Sequence, residues 1–141
     1  MALLLGLALS ANAPAQTQPL TLAVDGAWTW FNDPRALFHN GALYFGCVRS
    51  DGASSLNVLD LQNGTTRSLW TSTWSQYDDH DNAGLLSLQD GRLLAIYARH
   101  GSANTFSYRL SLTADPLTPA AWGAEQTSPS TGAGLTSMPV S

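Results

Sequence analysis

ALFHNGALYFGCVRSDG (residues 36–52) and LSLQDGRLLAIYARHGS (residues 86–102) superpose when Asn40-Gly41 is laid over Asp90-Gly91, fifty residues further along. In each, an apolar run leads into an Asn-Gly or Asp-Gly turn signal and a longer apolar run leads out of it, the pattern of a β-hairpin. The same shift lays Arg49 on Arg99, Leu56 on Phe106 and Val58 on Tyr108. Two matched units make an internal repeat, and a repeat of about 40–50 residues built from short strands is the size of one propeller blade. One blade cannot bury both faces of its sheet, so blades stack in a ring.

The remaining strand signals agree. ALYFGCVR (42–49), SLNVLDL (55–61) and RLLAIYAR (92–99) are apolar or alternating runs bounded by Asn40-Gly41, Asp51-Gly52, Asn63-Gly64 or Asp90-Gly91. Beyond the first residues no segment keeps a helical period over ten positions. The sequence therefore predicts an all-β fold, a β-propeller of four-stranded blades, of which this chain covers about the first two to three.

The chain has 141 residues, 44% of them hydrophobic, as in a globular domain. Only 11% are charged, all six basic residues are arginine, and the net charge is -4. No basic stripe exists to hold a phosphate backbone, so nucleic acid is excluded as a partner. The opening MALLLGLALSANAPAQ has an apolar run from Ala2 to Leu9 followed by Ala11-Asn12-Ala13 and Ala13-Pro14-Ala15, the core and cleavage pattern of a secretory signal. Residues 1–15 are thus expected to be a signal peptide and 16–141 a partial propeller, secreted or periplasmic. As a membrane span the run is too short, since a span needs about 20 apolar residues. Cys47 is the single cysteine, flanked by Gly46 and Val48, and reads as a small buried hydrophobe; no internal disulfide and no cysteine zinc cage follow from it.

QYDDHDNAGLL (76–86) concentrates Asp78, Asp79, His80, Asp81 and Asn82 just ahead of the first strand of the second unit. His100 follows the next strand, which in an antiparallel hairpin returns to the same end, so the two histidines can face one another across a cleft. A metal site made from the consecutive run alone is disfavoured, because adjacent residues of an extended chain point to opposite faces. The spacing also differs from a calcium-binding EF-hand loop. No cofactor is expected, with room only for a structural calcium or zinc ion completed by distant residues. The plainer reading of the cluster is a turn that satisfies its own backbone. His39, ahead of Asn40-Gly41, reads as a surface turn residue, and Trp28 and Trp30 as packing aromatics.

WTWFNDPRALFHNGALYFGCV (28–48), DDHDNAGLLSLQDGRLLAIYARHG (78–101) and FSYRLS (106–111) resemble the BNR-4 repeat-containing family. Its members carry a W-x-W-F-x-D-P-R-A segment, then D-D-H-x-N and Y-x-x-H-G motifs. The resemblance covers roughly residues 26 to 112 and implies a sialidase-like propeller, typically seven-bladed, in a family that includes ulvan lyases. On that resemblance the chain, ending at GLTSMPVS, is an N-terminal fragment, inactive without its later blades. In the family's lyases two histidines of these motifs lie at the active site, and the matching positions are His80 and His100.

The chemistry suits them. β-Elimination needs a base for the proton beside a uronate carboxylate and an acid for the leaving glycosidic oxygen, and an imidazole serves in either role near neutral pH. A donor or cation must also neutralise the carboxylate; the resemblance implies an arginine and a tyrosine from later blades. Asn82 is placed to bind a carboxylate from the same loop, and Arg35 is either a second substrate-binding group or a clamp between blades. The expected partner is an acidic polysaccharide. The alternatives are a non-catalytic carbohydrate-binding or structural propeller and, more weakly, a sialidase-type hydrolase, which would want an arginine cluster and a tyrosine nucleophile that the sequence does not display.

Overall fold

A computed structural model describes residues 20–27, 35–78, 80–101 and 104–130. The leader, Trp28, Trp30 and Asp79 lie outside these residues. Two four-stranded antiparallel sheets form the framework of the described chain. The first runs β1 (Ala36–His39), β2 (Ala42–Val48), β3 (Ala53–Asp60) and β4 (Thr65–Ser75). The second runs β5 (Gly84–Ser87), β6 (Leu93–Tyr97), β7 (Thr105–Leu110) and β8 (Gln126–Pro129). In both, each strand pairs with the next in the chain. The only helical turn among the described residues is a single 3-10 turn at Pro119–Ala121, and no helix there is long and apolar enough to cross a membrane.

Turn chemistry sets the register. Between β1 and β2 the two turn residues, Asn40 and Gly41, both have positive φ (46° and 78°), as the tight hairpin whose twist matches its strands requires. His39 accordingly pairs with Ala42. The second hairpin is wider: Ser87 pairs with Leu93, and only Gly91 has a positive φ. The fifty-residue superposition therefore holds for β2 over β6 alone. Matched through their pairing partners, β1 lies 49 residues ahead of β5, and β3 lies 52 ahead of β7, so Leu56 corresponds to Tyr108 rather than to Phe106. The two-residue correction leaves every side chain on the same face.

The sheets pack face to face. From the first come Ala42, Tyr44, Leu56, Val58, Leu69 and Trp70; from the second Leu93, Ala95 and Tyr97, with Trp122 beyond β7, all buried in one cluster. Trp70 stacks on Tyr97 with ring centroids 5.2 Å apart, and the Trp74 indole N–H donates to Ser107 Oγ at 3.1 Å. Aromatic pairs of this kind add about 0.5–1.5 kcal/mol beyond the area they bury.

One carboxylate lies in this seam. Glu125 accepts hydrogen bonds from the Thr73 backbone N–H (2.9 Å), the Thr73 hydroxyl (2.7 Å) and the Tyr97 hydroxyl (2.9 Å), with Arg109 Nη2 at 3.8 Å. Burial alone would raise its pKa, but the two bonds from Thr73, the Tyr97 hydroxyl and the Arg109 charge outweigh burial and hold it below the ordinary value. Burial, and then the bond to Glu125, push the Tyr97 hydroxyl up. Truncating Glu125 leaves Tyr97, Thr73 and Arg109 facing an empty buried site, and Glu125→Ala is expected to cost roughly 3–5 kcal/mol in urea unfolding at pH 7. Because the folded pKa is depressed, the contribution of the charge is complete above the unfolded pKa and fades as pH falls through the folded one. The gap between wild type and Glu125→Gln should therefore narrow below about pH 4; a gap constant from pH 7 to pH 3 would exclude this role.

Candidate two-histidine site

His80 lies in the loop between β4 and β5, and His100 lies just past β6. Since Gly84 pairs with Ile96, residues ahead of β5 and residues after β6 emerge at the same end of the hairpin. The two imidazoles meet there, their centroids 4.3 Å apart and their planes tilted by 45°.

Asp78 sits between them. One carboxylate oxygen is 2.7 Å from His80 Nδ1 and the other 2.9 Å from His100 Nδ1. The first oxygen also accepts the backbone N–H of His80 at 2.9 Å, a local turn that fixes the carboxylate. That backbone bond is the largest influence holding the Asp78 pKa well below the ordinary carboxylate range; burial opposes it, and the two imidazoles add to it. An ionised carboxylate only accepts hydrogen bonds, so both histidines donate through Nδ1 and, when neutral, carry their lone pair on Nε2.

The His100 main chain is clamped. Its N–H donates to Gln76 Oε1 (2.8 Å) and to Asp81 Oδ1 (3.2 Å), and its carbonyl accepts from Gln76 Nε2 at 3.0 Å. Asp81 is 0% exposed, and its second oxygen has no hydrogen-bond partner. Burial, followed by the nearby Asp78 charge, pushes its pKa up to about 6.

Asn82 is 5% exposed, with its side-chain oxygen packed against Gly46 and its carbonyl accepting from Arg35 Nη1 at 3.2 Å. Arg35 precedes β1 of the first sheet, whereas Asn82 leads into β5 of the second, so this bond joins the two sheets at the site end. The structure thus brings His80 and His100 together, while Arg35 and Asn82 bond one another between the sheets. His39 lies at the opposite end of its hairpin, where Nε2 bonds the Ala114 carbonyl at 2.9 Å. Cys47, partly buried, contacts Ser55 Oγ at 3.1 Å.

Two members of the site were not singled out from the sequence. Asp78 was read only within an acidic run, and Gln76 not at all. The signal available was spacing: an aspartate two residues before a histidine is an Asx-turn pattern that can turn its carboxylate back onto the loop. Comparison with known proteins adds nothing to this geometry, since no family model, curated protein or solved structure matches the chain.

Proposed function

We propose that His80 and His100 are the acid/base pair of a secreted polysaccharide lyase that cleaves uronate-containing polymers such as ulvan by β-elimination. The observation that carries this reading is the shared carboxylate: Asp78 bonds both Nδ1 atoms, at 2.7 and 2.9 Å. Elimination uses one imidazole as base and the other as acid, and Asp78 orients both rings through Nδ1. The neutral Nε2 takes the proton from the carbon beside the uronate carboxylate. The C–O bond to the leaving sugar breaks as the ring double bond forms, and the cationic histidine gives its Nε2 proton to the departing oxygen. The group that neutralises the carboxylate lies outside this pair. In this reading the two sheets are consecutive blades of a sialidase-like propeller of the BNR-4 repeat-containing family, and the pair lies at the channel mouth, where residues of different blades converge on an acidic polysaccharide.

A non-catalytic propeller, carbohydrate-binding or structural, is the second reading. It is favoured by Asn82 and Arg35, which are engaged in the fold rather than presented to a substrate. The test is ultraviolet absorbance of unsaturated uronate during incubation of ulvan with the protein expressed from its complete reading frame. The lyase reading expects product; saturable binding of the polymer with no product, on ulvan and on other uronate polymers, would establish the second reading instead.

A further inference from the structure

We infer that Asp78, His80 and His100 also form a binding site for a single divalent transition-metal ion, zinc by the chemistry of its donors. The three side chains each offer one ligand atom, and these atoms all lie within 4.8 Å of one another. Both Nδ1 atoms already point at the Asp78 carboxylate at hydrogen-bond distance. A tetrahedral ion with bonds of about 2.0–2.1 Å sets its ligand atoms about 3.4 Å apart, so the two contacts to Asp78 open by about half an ångström while the two ring nitrogens draw together. Two imidazoles and one carboxylate form a donor set that suits zinc and leaves a fourth position for water or a solute carboxylate. That position faces solvent, the His80 and His100 side chains being 39% and 55% exposed.

The surroundings support an ion independently of the three ligands. The His80 backbone N–H holds one oxygen of Asp78, and Gln76 holds the peptide of His100, the kind of outer contacts that orient metal ligands. Directly behind His100, Asp81 is fully buried with an unpartnered oxygen, an uncompensated polar group in which a nearby cation would be stabilised. Metal binding displaces the proton from each Nδ1, which moves to Nε2 of the same ring or leaves to solvent. The bound ion and the acid/base role therefore exclude one another, and zinc is an inhibitor of any proton transfer by this pair. The metal site itself does not depend on the lyase reading.

The experiment is a titration of the full chain, stripped with chelator, by cobalt(II), followed through the visible absorption of the tetrahedral ion. One cobalt should bind per chain, and zinc should displace it. His80→Ala and His100→Ala should each weaken binding by at least about a hundredfold, beyond the effect of losing an outer contact. Both variants keep the backbone groups that Gln76, Asp78 and Asp81 hold, so folding survives, as circular dichroism will show. Asp78→Asn should weaken binding similarly. His39→Ala should leave it unchanged, since that imidazole bonds the Ala114 carbonyl at a separate hairpin tip. No tetrahedral band with the wild type would overturn the site, as would a band that persists in the His80 or His100 variant. Both outcomes are independent of whether the protein cleaves any polysaccharide.

Discussion

Alanine at His80 or at His100 should slow release of unsaturated uronate by about 10²–10⁴, the range supplied by a positioned acid or base. In the proposed elimination each imidazole does a different half of the reaction, so neither can stand in for the other. Among the described residues no other titratable group is placed to substitute. Asp78 is an acceptor held far below its ordinary pKa, and Asp81 is buried beneath the pair. Because both side chains project to solvent, the loss should come without loss of fold, and thermal unfolding of the variants should track the wild type within a few degrees. A loss below tenfold in either variant would remove that histidine from the chemistry. The measurement is the initial rate of absorbance increase on ulvan at saturating substrate.

A second large effect, on stability, is expected at Gly46, in the middle of β2. A Cβ there would lie 2.3 Å from Asn82 Oδ1, 3.2 Å from the Ala83 carbonyl oxygen and 3.4 Å from the Ala83 nitrogen. Asn82 has little room to swing aside, because its side chain is buried between the sheets. The added methyl must instead push the 81–83 backbone away from the first sheet. Gly46→Ala is therefore expected to cost about 3 kcal/mol, at the upper end of overpacking penalties. For a domain of this size that lowers the Tm by roughly 10 °C or more. The same backbone carries Asp81 to the His100 N–H, so displacing it should also disturb the histidine pair. A drop of less than about 3 °C would mean that the sheets separate easily at this point, and that the site rests on other contacts.

Much of the fold was legible because hairpins announce themselves locally. Asn40-Gly41 and Asp90-Gly91 mark turns in which Asn40, Gly41 and Gly91 take positive φ, and the apolar runs beside them became β1, β2, β5 and β6. β4 was not legible. Its sequence TTRSLWTSTWS alternates polar residues with two tryptophans, and only the second sheet, which receives Trp70 and Trp74, makes it a strand. β8 is four residues, Gln126–Pro129, with no apolar run of its own. The spacing of the repeat was readable only to within the turn lengths, because one extra residue in a hairpin loop shifts what lies before it and not what lies after. At the site, the return of an antiparallel strand was enough to put His80 and His100 at one end. That they share Asp78 depends on side-chain torsions and on a clamp by Gln76, neither of which has a sequence period. Asn82 looked like a presented group from its polarity. Its neighbour across the sheets is a glycine, Gly46, whose lack of a side chain makes the space that buries it.

The central claim is that one carboxylate holds two imidazoles as a single unit, and nitrogen-15 imidazole spectra of the metal-free protein test it directly. Assigned resonances should show both neutral rings protonated at Nδ1, and Asp78→Asn should shift both rings together. Either ring protonated at Nε2 alone in the wild type, or a response of only one ring to Asp78→Asn, would contradict the shared site.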